Sequence, residues 1–266
     1  MTRAPSDTVW NDRDLTNPHV VADKRRRVQR MFAAIAPCYD VNNRVHSIGL
    51  DQYWRRRAVA LAQLRPGDSV VDVACGTGDL SLAFGRGLKD IAGRQGAPTA
   101  GQVLGIDFTF EMLPLAEQKL RRACPADSHA TRFLAGDAQR LPLPDACCDV
   151  VSIAFGIRNV AEPAIAMREF HRVLRPQGRV IVLEFSLPAN PVLRSLYNFY
   201  FHKILPRTAT LISGDRTGAY KYLPRSVGTF MPRTAMLDSL RAAGFRDATA
   251  HPMTFGIAVV YRAIKR

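Results

Sequence analysis

Acidic residues are scarce in this chain. Asp and Glu number 23 against 37 Lys and Arg, a formal net charge of +14 with a pI near 10.2. Such a field draws polyanions, either nucleic acid or an anionic membrane surface, and charge alone does not choose between them. Cysteine pairing is also missing. Cys38, Cys75, Cys124, Cys147 and Cys148 form an odd set without a Cys-x-x-Cys spacing. That argues for reduced cytosolic thiols packed as small apolar residues, over a disulfide framework or a zinc site. His46, His171 and His202 lack metal-type spacing, so no metal is expected. No apolar run approaches the roughly 18 to 20 residues of a membrane span. Met1 to Asn11 carry no apolar h-region, so no secretory signal is expected. Internal repeats are absent.

What is present suits one large domain. The 266 residues are 47% hydrophobic, ample for a core. Basic residues cluster at Lys24-Arg25-Arg26-Arg27, with Arg30 nearby, and at Arg55-Arg56-Arg57. Each contributes about 1 kcal/mol beside an anionic leaflet; the alternative is a solvated basic face.

Residues 1–22 are polar and read as a loosely ordered arm before a single domain over 23–266. Val28, Met31, Phe32 and Ile35 line one face of a helix over 24–36, and a second helix is predicted over 50–63. Strands near 69–74, 103–107, 131–136, 148–154 and 179–185 then alternate with helices near 79–88, 110–122 and 162–174. This α/β alternation predicts a mostly parallel sheet with helices on both faces. The Gly-rich stretch 86–101 reads as a surface loop. Residues 187–230, rich in aromatics and proline, break the rhythm and read as a helical insertion that covers a substrate. A helix near 233–243 stops at Gly244, and 245–249 with 255–263 close the chain as a strand pair.

Chemistry concentrates in Val70-Val71-Asp72-Val73-Ala74-Cys75-Gly76-Thr77-Gly78-Asp79-Leu80, read with Asp107. An apolar run meets a Gly-x-Gly turn, where Gly76 and Gly78 let the backbone approach a ligand. A second apolar run ends in an acid able to accept from both hydroxyls of a ribose. Two details point away from a dinucleotide. The third glycine of G-x-G-x-x-G is Ser81, so helix and strand need not pack tightly there. Asp79 also places an acid where a pyrophosphate would sit. A cofactor without phosphate, S-adenosyl-L-methionine, fits better. Ligands of open α/β sheets bind beyond the carboxyl ends of the strands. This gathers Gly76–Asp79, Asp107, Gly136-Asp137-Ala138 and Phe155-Gly156-Ile157-Arg158-Asn159.

With these in view, the chain resembles the class I S-adenosylmethionine-dependent methyltransferases, and within them the ubiquinone/menaquinone biosynthesis C-methyltransferase family. The resemblance rests on Tyr39-Asp40-Val41-Asn42-Asn43 with Ser47-Ile48-Gly49 and Trp54-Arg55, on Ser152 to Val160, and on Arg172 to Arg179 continuing to Leu183-Glu184-Phe185-Ser186. It departs from the family's pattern at Cys75 and Gln177, where glycine is usual, and at Ala154, where serine is frequent.

The resemblance implies a Rossmann-like seven-stranded sheet with an antiparallel C-terminal pair. It implies Thr77 in the turn, Asp107 on the ribose, and Asp137 with Ala138 beside the adenine; Asp137 as a helix cap is the alternative. The implied reaction methylates a ring carbon of a prenylated hydroquinone. Demethylmenaquinol is placed first, and the ubiquinol precursor, or both, second. Arg158 and Asn159 are expected at the substrate oxygens, Tyr39 against the quinol, and Asp40 as a base acting through water. An isoprenoid tail implies peripheral association of a cytoplasmic enzyme with the anionic inner face of a membrane; a homo-oligomer is compatible with the chain. Nucleic acid is not expected as a partner, since no Asn/Asp-Pro-Pro-Tyr/Phe motif follows strand four. An RNA methyltransferase, an RNA-binding module and a methyltransferase for sterols or phenols are the remote alternatives.

Overall fold

A computed structural model describes residues 9–123, 130–215 and 217–266. Its sheet has seven strands in the order β3-β2-β1-β4-β5-β7-β6. These are β1 (Ser69–Val73), β2 (Gln102–Asp107), β3 (Thr131–Ala135), β4 (Cys148–Ala154), β5 (Leu174–Phe185), β6 (Arg246–Met253) and β7 (Ala258–Ile264). The first five run parallel, and β7 lies antiparallel between β5 and β6. This is the Rossmann-like arrangement expected from the alternation, including the closing pair.

The helices are α1 (Lys24–Ile35), α2 (Tyr39–His46), α3 (Leu50–Leu61), α4 (Asp79–Gln95), α5 (Leu113–Ala123), α6 (Pro163–Val173), α7 (Pro191–Phe199), α8 (Leu205–Ser213), α9 (Ala219–Gly228) and α10 (Arg233–Ala242). The central strands are mostly apolar because both faces are covered, with Asp72 and Ser152 buried among them as a hydrogen-bonded pair. Val71, Val73, Val151, Ile153, Val180 and Val182 pack under α6 and α10. Their alternates Val70, Val150, Ile181 and Leu183 pack under α3 and α4. A third cluster joins α1, α8 and α9 with Trp10 and Leu15 as a cover. Among the described residues, no helix is long and apolar enough to cross a membrane.

Four sequence expectations need correction. The stretch 86–101 is not a loop from its start, because α4 continues to Gln95 and ends at Gly96 in the left-handed conformation. Gly87 serves packing. A Cβ on Gly87 would stand 2.9 Å from Val59 and 3.0 Å from Leu64, so the missing side chain lets α3 approach. Part of the expected arm packs on the domain through Val9, Trp10 and Leu15. Trp10 is buried and stacks on Tyr222 with centroids 4.6 Å apart. Residues 1–8, like Cys124, lie outside the described residues. Strand β5 begins at Leu174, and Gln177 within it takes φ +66°, a conformation that explains why glycine suits that position. Ser81, finally, does not loosen the helix. It is fully buried, and its hydroxyl donates to Asp72 of β1 at 2.6 Å, which ties α4 to the strand.

Candidate active site

β1 and β4 are neighbours, yet from β1 the order runs to β2 and β3, and from β4 to β5. Ligands of open sheets settle in the crevice at this reversal. Two cavities open there. One, about 780 Å³ of empty space with its mouth included, is lined by Gly76, Asp107, Asp137, Ala138 and Asn159 among others. The other, about 1290 Å³ on the same measure, is almost wholly apolar and lies beneath α1–α3 and α7–α9. Phe32, Tyr39 and Phe155 line both and form the wall between them.

The first cavity is shaped by strained backbone. Ala74 (φ +51°) follows β1 and Phe155 (φ +56°) follows β4, and both line it. Non-glycine residues in this region cost about 1–2 kcal/mol each and concentrate at functional sites. Gly156 completes the pair, since a Cβ there would meet the Ala74 Cβ at 2.6 Å. Gly76 and Gly78 also have positive φ, +55° and +82°. Cys75 does not, so cysteine replaces glycine without loss of the turn. Gly76 lines the cavity, whereas Gly78 faces the Phe133 ring, 2.9 Å from where its Cβ would be.

Asp107 ends β2 inside this cavity. Its Oδ2 accepts from the Gly76 N–H and its Oδ1 from the Thr109 N–H, both at 2.7 Å. Burial pushes its carboxyl up from the usual value, and these backbone bonds draw it back part of the way. Two carboxylate oxygens offer about four lone-pair sites, so acceptor capacity remains for hydroxyl groups. Asp137 lines the same cavity. One oxygen accepts from the Gln139 N–H at 2.9 Å within a turn, where no helix starts for it to cap, and the other pairs with Arg25 at 2.8 Å. Arg25 also lies over the Phe108 ring, 4.6 Å from its centroid. Ala138 and Ala154 add apolar walls.

The second cavity has a charged floor. Arg158 is 4% exposed. Its Nη1 donates to Glu184 and to the Phe155 carbonyl, each at 2.6 Å, and its Nε to Ser226 at 3.3 Å. Its Nη2 makes no bond among the described residues. Asn159 turns the other way: it donates to the Phe155 carbonyl at 3.2 Å, accepts from the Tyr222 hydroxyl at 2.9 Å and borders the first cavity. Trp54, Phe155 and Phe185 pack together, the two phenyl rings 4.5 Å apart, with Arg158 over Phe185 and Arg55 over Phe155. Three buried polar atoms of residues lining this cavity, the Tyr197 and Tyr220 hydroxyls and Arg55 Nε, have no partner among the described residues. Orphaned donors beside a cavity are unusual in proteins and are available to a ligand. Burial pushes the Tyr39 and Tyr197 phenols up.

Asp40 and Thr77 line neither cavity. The Thr77 hydroxyl donates to Asp40 at 2.6 Å, and Lys119 reaches Asp40 at 2.7 Å and Asp79 at 2.6 Å. This network ties α2 to the glycine turn. Burial acts to raise Asp79, but Arg55, Lys119 and Arg44 outweigh it and hold the acid low.

Lys119, Glu184, Tyr222 and Arg25 are not named as site residues in the sequence reading. Only Glu184 left a local signal, as a lone acid ending the apolar run Val180–Leu183. Half of the basic clusters is consumed inside the fold, while Arg26, Arg30, Arg56 and Arg57 stay exposed. Lys24 is buried, donates to the Val160 carbonyl at 2.6 Å, and is pulled by burial to about 8. Arg27 pairs with Asp14 and Asp23, and Arg55 with Asp51.

Comparison with known proteins gives a consistent picture. The family model of the ubiE/COQ5 methyltransferase family matches residues 20–265. A demethylmenaquinone methyltransferase of Deinococcus radiodurans is 43% identical over 244 residues, covering 92% of this chain and 95% of that protein. One of Thermus thermophilus is 43% identical over 231 residues, covering 87% and 98%. A ubiquinone/menaquinone biosynthesis C-methyltransferase UbiE of Geotalea daltonii is 40% identical over 247 residues, covering 92% and 99%. Among solved structures, a SAM-dependent methyltransferase of Thermotoga maritima superposes with a TM-score of 0.58 at 20% identity, covering 90% of this chain and 100% of that one. At that identity it speaks for the fold alone.

Proposed function

The chain belongs to the ubiE/COQ5 methyltransferase family, and from that premise we propose that it methylates a ring carbon of a prenylated hydroquinone with S-adenosyl-L-methionine as methyl donor. Demethylmenaquinol is the favoured acceptor, supported by the names of the two relatives at 43% identity. The ubiquinol precursor is the second reading, supported by the relative named for both quinones. The observation that carries the proposal is the pair of cavities, one holding the Asp107 and Asp137 carboxylates and one largely apolar beside Arg158, meeting at Phe32, Tyr39 and Phe155.

The first cavity fits the cofactor. Asp107 and Asp137 supply acceptors for hydroxyl and amino groups, Ala138 and Met112 an apolar bed, and Gly76 a backbone that comes close. Thr77 and Gly78 hold that turn from behind. When bound, S-adenosylmethionine supplies an electrophilic methyl group.

The remaining steps fall to the protein. A phenol ring carbon gains nucleophilicity as its O–H gives up the proton to water. Once the methyl is in place, the ring hydrogen leaves as a proton and the phenol O–H is restored, so one proton is released per methyl transferred. Arg158 is assigned the ring oxygen, through the Nη2 left unbonded by Glu184. The Glu184 carboxylate keeps the buried guanidinium paired, so the cavity holds a neutral pair that still presents a donor. Hydrogen bonds to charged groups contribute about 1.5–3 kcal/mol, and the aromatic walls strengthen this one by excluding water. Asn159, beside the cofactor cavity, orients the strand-four turn and the reacting face. Tyr39 packs on the ring from the dividing wall. Asp40, held by Thr77 and Lys119, is assigned closure of α2 over the turn, in place of proton transfer. The isoprenoid tail occupies the apolar cavity, and its origin in a bilayer makes peripheral membrane association part of this reading.

Arg158→Lys keeps a cation for Glu184 but loses the fork. Turnover of a short-tailed demethylmenaquinol is expected to fall about 10²–10³-fold, with the calorimetric affinity for S-adenosylmethionine unchanged. Loss of cofactor binding would overturn the assignment.

A further inference from the structure

Helix α7 buries none of its residues. Its apolar side chains are nevertheless large: Val192, Leu196 and Phe199 are 66%, 63% and 62% exposed. The three recur at i, i+4 and i+7, one face of a helix. Tyr200–Ile204 continues the helix as a π turn into α8, where Leu211 is 83% exposed. A helical run with an apolar face turned to water calls for a cover.

The charge around this face selects the cover. No acid occurs between Glu184 and Asp215, while Arg194, Lys203 and Arg207 are all exposed. An apolar stripe flanked only by cations is the pattern of a helix that lies in a membrane interface. Position agrees. The Tyr200 hydroxyl donates to the His46 carbonyl, and His46 is hydrogen-bonded to Thr208, so α8 sits against α2. Ile48, just beyond α2, lines the apolar cavity and is 87% exposed. The mouth of that cavity therefore opens beside the stripe.

We propose that the α7–α8 run is the docking surface of this protein on an anionic bilayer. Val192, Leu196, Phe199 and Leu211 enter the acyl boundary, the three cations meet headgroup phosphates, and the quinol tail passes to the cavity past Ile48. The proposal rests on the reading of a tail-bearing quinol as substrate. It moves the membrane contact away from the clusters at 24–27 and 55–57, much of whose charge is spent on internal partners.

Sedimentation of the full chain with vesicles tests it, using phosphatidylglycerol mixed into phosphatidylcholine against phosphatidylcholine alone. The wild type is expected to sediment with the anionic vesicles. Leu196→Glu with Phe199→Glu is expected to abolish this, and Arg194, Lys203 and Arg207 changed to Gln to weaken it roughly fivefold per charge removed. Turnover of a short-tailed quinol in solution stays within twofold for both variants, and unaltered thermal unfolding shows that they fold. Absence of wild-type binding, or equal binding by the Glu variant, overturns the proposal. So does a wild-type dimer in sedimentation velocity that the Glu variant dissociates, which would make the face a contact between copies. Vesicle binding without turnover of any quinol overturns the function instead and leaves the docking surface standing.

Discussion

On the sheet side of the site, Asp107 is fixed by two backbone N–H groups at 2.7 Å, and Ala74, Gly76 and Phe155 hold left-handed backbone around it. On the cover side, Arg158 is fixed by side chains and a carbonyl from separate segments, at Glu184, Ser226 and Phe155, under rings from α1, α3, α7 and α9. The first arrangement is local: strand, turn and acid lie close in sequence or one parallel strand away. The second requires the whole chain to have folded. A cofactor shared by many enzymes suits a rigid, backbone-built cradle, and an acceptor with a long tail suits an adaptable apolar chamber.

The comparison breaks first at Arg158. Arg158→Met strands the buried Glu184 carboxylate and is expected to cost about 3–5 kcal/mol. Adding Glu184→Gln is expected to return most of that stability but none of the turnover, as denaturant unfolding beside a methylation assay would record. Recovery of turnover in the double variant would make the pair structural only.

Asp72 sharpens the sheet side. Burial raises its carboxyl from 3.8 to about 6, against hydrogen bonds from Ser81 and Ser152. The folded state therefore binds this proton more tightly than the unfolded chain. The resulting stability is present below pH 3.8 and lost as pH rises through 6, roughly 3 kcal/mol in all. Asp72→Asn is expected to remove that fall, so that wild-type and variant stabilities diverge between pH 4 and 7 in urea titrations. Parallel curves would contradict the burial argument.

Asp107→Asn keeps the shape of the cradle and removes its charge. Cofactor affinity is expected to fall about 10–100-fold, the value of charge-assisted hydrogen bonds, with quinol affinity unchanged in calorimetry. The smallest effect is at Gln177, held at φ +66°. Gln177→Gly is expected to stabilise the chain by about 1 kcal/mol without touching activity, a control that lies outside both halves.

The sheet side was legible because its signals are local. Apolar runs, the Gly-x-Gly turn and the acid at 107 can be read within short windows, and the strands fall within a few residues of their predicted limits. Gly87 misled for the same reason. Seen locally it is a helix breaker, and only the approach of α3 explains it. The cover side was legible through its resemblance to a family, not through spacing. No pattern links Arg158 to Glu184, Asn159 to Tyr222, or Lys119 to Asp40, because each pair is joined by tertiary packing across 26 to 79 positions of sequence. Lys24 shows the same limit: a basic run looks solvated until the fold buries one member of it.

The central claim is that cofactor and quinol occupy two cavities on either side of Phe32, Tyr39 and Phe155. Calorimetric titration of a tail-bearing quinone, with and without saturating S-adenosylhomocysteine, tests it most directly. The account predicts a ternary complex, with quinone affinity equal or tighter when the first cavity is filled. Mutually exclusive binding would contradict it.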